Sequence, residues 1–198
     1  MEEIEKTINI VLCGVGGQGT VLASKLIAAA AMKKGLSVMS AETIGMAQRG
    51  GSVFSHLRIG KDLYSPMIAE GTADIILGFE PGEAVRMLRF LKPGGQVIVS
   101  SRAVMPVTAS LGQSGYRGED MLEYLRGVTE HLLVIDTDAA CRKLGTPKVM
   151  NVLMLGAAVR SGALGLSEED ICEALKERLP EKLWKMNFEA LRYTEAEE

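Results

Sequence analysis

The stretch Ile8-Asn9-Ile10-Val11-Leu12-Cys13-Gly14-Val15-Gly16-Gly17-Gln18-Gly19-Thr20 decides the fold. Residues 8–13 are a short, mostly apolar run ending at a glycine, the pattern of a strand buried on both faces of a sheet. The glycines that follow permit a tight turn. Residues 20–34, rich in Ala, Leu and Lys and stopped by Gly35, then read as a helix with a glycine cap. Residues 36–41 return as a second strand. Strand, glycine turn, helix and strand in this order make about one βαβ unit.

Beyond this unit the rhythm changes. Residues 52–59 alternate, with Val53, Leu57 and Ile59 on one face and His56 and Arg58 on the other. Gly60-Lys61-Asp62 is a turn signal, and Leu63-Tyr64-Ser65 is expected to return as a hairpin partner until Pro66 stops it. A buried strand is expected at 73–79 and further strands at 96–100 and 131–136, with a helix starting at Pro81 and Glu83 and Gly94-Gly95 beyond its end. The polar stretch 113–120 reads as surface loop leading into a helix near 121–129.

The C-terminal third, about 148–194, is expected to be helical. Residues 149–159 are apolar almost all round apart from Asn151, which buries this helix in the core or in a subunit interface. Ser167-Glu168-Glu169-Asp170 is a helix start, Pro180 breaks the helix that follows, and 195–198 read as a frayed acidic tail. The expectation is one domain over 1–198, a three-layer α/β/α arrangement on a mainly parallel sheet with a β-hairpin-like insertion.

The chain has 198 residues, of which 47% are hydrophobic and 24% charged, so it can build a core without disulfides or metal. A net charge of -3 and 5% aromatics argue against nucleic-acid binding. Cys13, Cys141 and Cys172 lie far apart with no C-x-x-C pair, which speaks against an iron–sulfur or zinc motif and for a reducing compartment. The acidic start Met1-Glu2-Glu3 is unlike a secretory signal, and the uncharged run 8–24 holds too many glycines for a membrane span. A cytoplasmic protein with no membrane contact is expected.

The glycine turn is the main candidate for chemistry. Gly14, Gly16 and Gly19 match G-x-G-x-x-G, and a turn of this kind before a helix N-terminus suits phosphate or pyrophosphate. Thr20 stands where a Walker loop needs lysine, which argues against a nucleotide triphosphatase. Glu42, 23 residues after Gly19, is roughly where a dinucleotide fold puts its ribose-binding acid, but a solvated or interface carboxylate fits it better. The same turn could also serve only close strand–helix packing.

The segment Glu42 to Ser52 adds three glycines, Gln48 and Arg49, and Arg49 could either pair with a phosphate or hold loop carbonyls. His56 and His131 read as ordinary strand histidines. Gly112-Gln113-Ser114-Gly115-Tyr116 falls short of a nucleophile elbow because Tyr116 replaces the second glycine. The eleven methionines suit core or interface, and no complete catalytic constellation emerges.

Three segments together resemble one family. Gly14-Val15-Gly16-Gly17-Gln18-Gly19, Gly45-Met46-Ala47-Gln48-Arg49-Gly50-Gly51-Ser52-Val53 and Asn151-Val152-Leu153-Met154-Leu155-Gly156-Ala157 are similar to the small, gamma-type subunits of 2-oxoacid:ferredoxin oxidoreductases. The resemblance runs from about Ile8 to about Leu191 and is nearest to the indolepyruvate ferredoxin oxidoreductase branch. It implies oxidative decarboxylation of a 2-oxo acid to an acyl-CoA, with thiamine diphosphate, magnesium and iron–sulfur clusters on a larger partner subunit and electrons passing to ferredoxin. It further implies that Gly14, Gly16, Gly17, Gln18, Gly19, Thr20, Arg49 and Ser52 contact coenzyme A or that partner. Two other readings remain open at this point: a self-contained NAD(P)-binding oxidoreductase, and a purely structural assembly subunit.

Overall fold

A computed structural model describes residues 6–44, 51–105 and 115–194. The strands are β1 (Ile8–Val15), β2 (Ser37–Ile44), β3 (Ser52–Gly60), β4 (Ala73–Gly78), β5 (Leu91–Ser100) and β6 (His131–Ile135). They form one sheet in the order β2-β3-β1-β4-β5-β6. β1 pairs in parallel with β4, β4 with β5, and β5 with β6. β3 runs antiparallel to both of its neighbours, β1 and β2. The sheet is therefore mainly parallel, and its hairpin is β2 with β3.

Two details differ from the sequence expectation. Residues 63–65 form no strand, because both edges of β3 are already taken by β1 and β2. Arg58 Nη1 instead donates to the Ser65 carbonyl at 2.8 Å, and Ile68 N donates to His56 Nδ1 at 2.9 Å, so this segment straps one face of the sheet. Gly94 and Gly95 lie within β5 and do not precede it. They sit at a bulge where the register slips between Ala73 and Ile75, and a Cβ on Gly95 would crowd the Ala73 carbonyl.

Among the described residues the helices are α1 (Thr20–Lys33), α2 (Pro81–Met87), α3 (Gly118–Val128), α4 (Thr137–Lys143), α5 (Met150–Arg160), α6 (Glu168–Arg178) and α7 (Trp184–Arg192). Alternation along the strands sends Ile10, Leu12, Leu57, Ile59 and Leu77 to one core, which α1, α5, α6 and α7 cover. Val11, Cys13, Ile76, Val97 and Val99 face the other core, closed by α2, α3 and Ile68 of the strap. These are the two outer layers around the sheet.

α5 is the central packing element. Residues 150–158 are all buried, as its apolar sequence predicts. A Cβ on Gly156 would overlap the Leu191 carbonyl, so glycine lets the backbones of α5 and α7 touch, and Arg160 Nη1 donates to that same carbonyl at 2.7 Å. α6 starts with a capping box: Ser167 Oγ accepts from Asp170 N at 3.2 Å, and Asp170 Oδ2 accepts from Ser167 N at 2.8 Å. Lys34 Nζ, 3.1 Å from the same carboxylate, ties α1 to α6. No helix among the described residues is long and apolar enough to cross a membrane.

Candidate anion site at the carboxyl edge of the sheet

β1, β4, β5 and β6 end at one edge of the sheet, and β3 begins there because Ser52 pairs with Val15. Open α/β sheets bind ligands at this edge, where helix N-termini converge. A cavity of about 480 Å³ opens beside the glycine turn. Its walls are Val15 to Gly19 and Leu22 on one side, Arg102 and Val104 beyond β5, and Pro147, Lys148, Met150 and Asn151 at the start of α5.

Gly17 (φ 100°) and Gly19 (φ 82°) hold left-handed conformations that a side chain would strain. Gly16 N donates to the Gly51 carbonyl at 2.9 Å, fixing the turn to the start of β3. α1 begins at Gly19 with no side-chain cap and no acid in its first turn, so its positive end is uncompensated. α5 has no first-turn acid either, but a 3-10 turn at Pro147–Val149 leads into it and is capped by Thr146 Oγ1, which accepts from Lys148 N at 3.2 Å. The uncapped N-terminus of α1 and two cations thus line one cavity, an arrangement suited to phosphate.

The candidate residues divide by side of the sheet. Gly16, Gly17, Gln18 and Gly19 line the cavity. The amide of Gln18 is engaged within the fold: Oε1 accepts from Val15 N at 2.8 Å, and Nε2 donates to the Phe79 carbonyl at 2.8 Å. Gly14 makes room for that clamp, since its Cβ would lie 2.6 Å from Gln18 Oε1. Thr20 is buried behind the turn, and its hydroxyl has no partner among the described residues. Ser52 turns to the opposite face, where its hydroxyl donates to Glu83 Oε2 at 2.6 Å. Arg49 lies outside the described residues.

Sequence reading missed Arg102 and Lys148, which look like ordinary surface cations until β5 and α5 bring them together. Arg102 Nη1 lies 3.5 Å from Asp138 Oδ1, a loose, half-exposed pair that leaves the guanidinium accessible. Lys148 is exposed and has no ion pair among the described residues. Asn151, the one polar residue of an apolar run, is 5% exposed and its side chain lies against Gly19.

The α2 side of the same edge is closed. Glu80 and Glu83 are both buried at the start of α2. Glu80 Oε2 accepts from Glu83 N at 2.9 Å, and Glu80 Oε1 accepts from the Tyr116 hydroxyl and from Val104 N. Burial, then the bond to Glu80, raises the Tyr116 phenol above its usual range. Burial, then the charges of Glu83 and Glu80, keeps Cys13 a thiol. His56 is also enclosed, its Nδ1 accepting from Ile68 and its ring against Phe90; burial and then Arg89 push its pKa down. Among the described residues no three His, Cys, Asp or Glu side chains are grouped to hold a metal ion.

Glu42 bears on the dinucleotide reading. It lies within β2, is exposed, and pairs with Ser55 of β3, so β3 separates it from β1. Two strand spacings, roughly 10 Å, therefore stand between Glu42 and the strand that carries the glycine turn. A larger cavity of about 580 Å³ lies along the unpaired edge of β6, away from the turn.

Fold and cavity define a three-layer α/β protein with an open, cation-lined cavity at the carboxyl edge of its sheet. Residues 9–196 match the family described as pyruvate ferredoxin/flavodoxin oxidoreductase, and the chain belongs to that family. It is a small subunit of the 2-oxoacid:ferredoxin oxidoreductase kind. It is 38% identical over 186 residues to indolepyruvate oxidoreductase subunit IorB of Archaeoglobus fulgidus, covering 93% of this chain and 92% of that one. The gamma subunit of a keto/oxoacid ferredoxin oxidoreductase from Geobacter sulfurreducens shares the fold at TM-score 0.66 and 24% identity, covering 93% of this chain and 94% of that one. The 2-oxoglutarate:ferredoxin oxidoreductase of Magnetococcus marinus, solved with 2-oxoglutarate, coenzyme A and succinyl-CoA bound, aligns at TM-score 0.70 and 20% identity over 94% of this chain and 30% of that one.

Proposed function

We propose that this subunit receives the phosphates of coenzyme A in the cavity beside the glycine turn. The enzyme it completes would convert a 2-oxo acid and coenzyme A into an acyl-CoA and carbon dioxide, sending two electrons to ferredoxin in the cytoplasm. Thiamine diphosphate, magnesium and iron–sulfur clusters belong, on this reading, to a larger partner subunit. The IorB relative favours indolepyruvate or another aryl pyruvate as the acid.

The observation that carries the proposal is the uncapped α1 facing a cavity lined by Arg102 and Lys148. The backbone donors of the turn and two accessible cations match a diphosphate in charge and in hydrogen-bonding sense. The coenzyme A in the Magnetococcus complex is consistent with this. The test is the KM for coenzyme A of the enzyme assembled with its larger subunit, comparing wild type with the Arg102→Ala, Lys148→Ala double variant. A rise of about tenfold in KM, or roughly 1.4 kcal/mol of binding, with kcat unchanged is expected. An unchanged KM would overturn the proposal.

A further inference from the structure

We infer that Asn151 is a ligand-contact residue, supplying a donor–acceptor subsite beside the anion subsite; the assignment rests on the coenzyme A reading above. Asn151 lies in the first turn of α5, is 95% buried by its 5% exposure, and lines the cavity. Its amide makes no hydrogen bond among the described residues. Every neighbouring position along 149–155 is apolar, so the helix would pack at least as well with leucine there. The residue is buried, yet its amide atoms are not among the buried polar atoms left without a partner: they open onto the cavity, where a ligand could meet them.

An amide offers one acceptor and two donors on adjacent atoms. The complementary group presents a donor and an acceptor side by side, close to a phosphate. Coenzyme A has this chemistry at the amino edge of its adenine, and each trans amide of its pantetheine arm offers a single donor or acceptor that one atom of the Asn151 amide could meet. Leu22, Val104 and Met150 supply the apolar wall that either part needs. Inorganic pyrophosphate offers acceptors only and would engage the turn and the cations without Asn151.

The test titrates the full chain, wild type and Asn151→Leu, with inorganic pyrophosphate, adenosine 3′,5′-bisphosphate and 4′-phosphopantetheine. The expected result is pyrophosphate affinity within twofold of wild type and a loss of tenfold or more for one organic fragment, which identifies the part that Asn151 reads. The melting temperature should stay level or rise, because the fold does not use the amide. Asn151→Ala, which adds no volume beside Gly19, should reproduce the affinity loss if leucine disturbs the turn. Wild-type affinity for both organic fragments in both variants would overturn the assignment, as would an equal loss for all three ligands with a fallen melting temperature. If the wild-type chain binds none of the three, the coenzyme A reading falls first and the role of Asn151 with it.

Discussion

The two sides of the sheet's carboxyl edge treat their polar groups in opposite ways. On the α2 side, Glu80 caps the helix, Glu83 sits in its first turn, and Ser52, Tyr116 and Val104 all bond to these carboxylates. On the α1 side, the start of α1 lacks a side-chain cap and an acid, Asn151 has no partner among the described residues, and Arg102 is held only loosely. The same topology produces both sides. A closed hydrogen-bond account marks structure, and an open one beside a cavity is where the proposed ligand would complete the account.

The largest expected effect lies on the closed side. Glu80→Leu leaves the Tyr116 hydroxyl, Glu83 N and Val104 N without their acceptor, and should cost on the order of 3 kcal/mol in urea denaturation. A loss below about 1 kcal/mol would mean that water replaces the carboxylate and that this side is less closed than its geometry indicates. The Arg102→Ala, Lys148→Ala double variant should show the converse, with weakened coenzyme affinity and stability within about 0.5 kcal/mol of wild type.

The smallest effect concerns His56 on the α2 face, whose Nδ1 accepts from Ile68 N while its Nε2 is buried without a partner among the described residues. Its folded pKa lies below the ordinary value of 6.5, so the unfolded chain takes up the proton first. The stability from burying this neutral imidazole is complete above pH 6.5 and is lost as pH falls below it toward the folded pKa. Denaturation midpoints measured down that range should fall less steeply in His56→Leu than in wild type. Equal slopes would show that His56 does not control the pH response.

Much of this was legible locally. The strand–turn–helix at β1 and α1, the buried α5 and the start of α6 each carry their signal in adjacent residues: an apolar run, an all-round apolar helix, and a capping serine with acids. The place of β3 was not legible, because alternation identifies a strand but not its neighbours. Gly94-Gly95 looked like a stop and proved to be a bulge, which depends on the register of β4. Arg102 and Lys148 carry no local mark, since only the convergence of the β5 end with the α5 start places them at one cavity. Gln18 and Ser52 were legible as polar residues near the turn, but not the directions of their bonds, to Phe79 and to Glu83.

The most direct test of the open-edge account is an electron cryomicroscopy map of the assembled enzyme with coenzyme A bound. The account predicts phosphate density within hydrogen-bonding distance of the backbone at Gly17 and Gly19, with Arg102 and Lys148 turned toward it. Coenzyme A held wholly by the larger subunit, with a partner side chain filling the cavity beside Asn151, would contradict it.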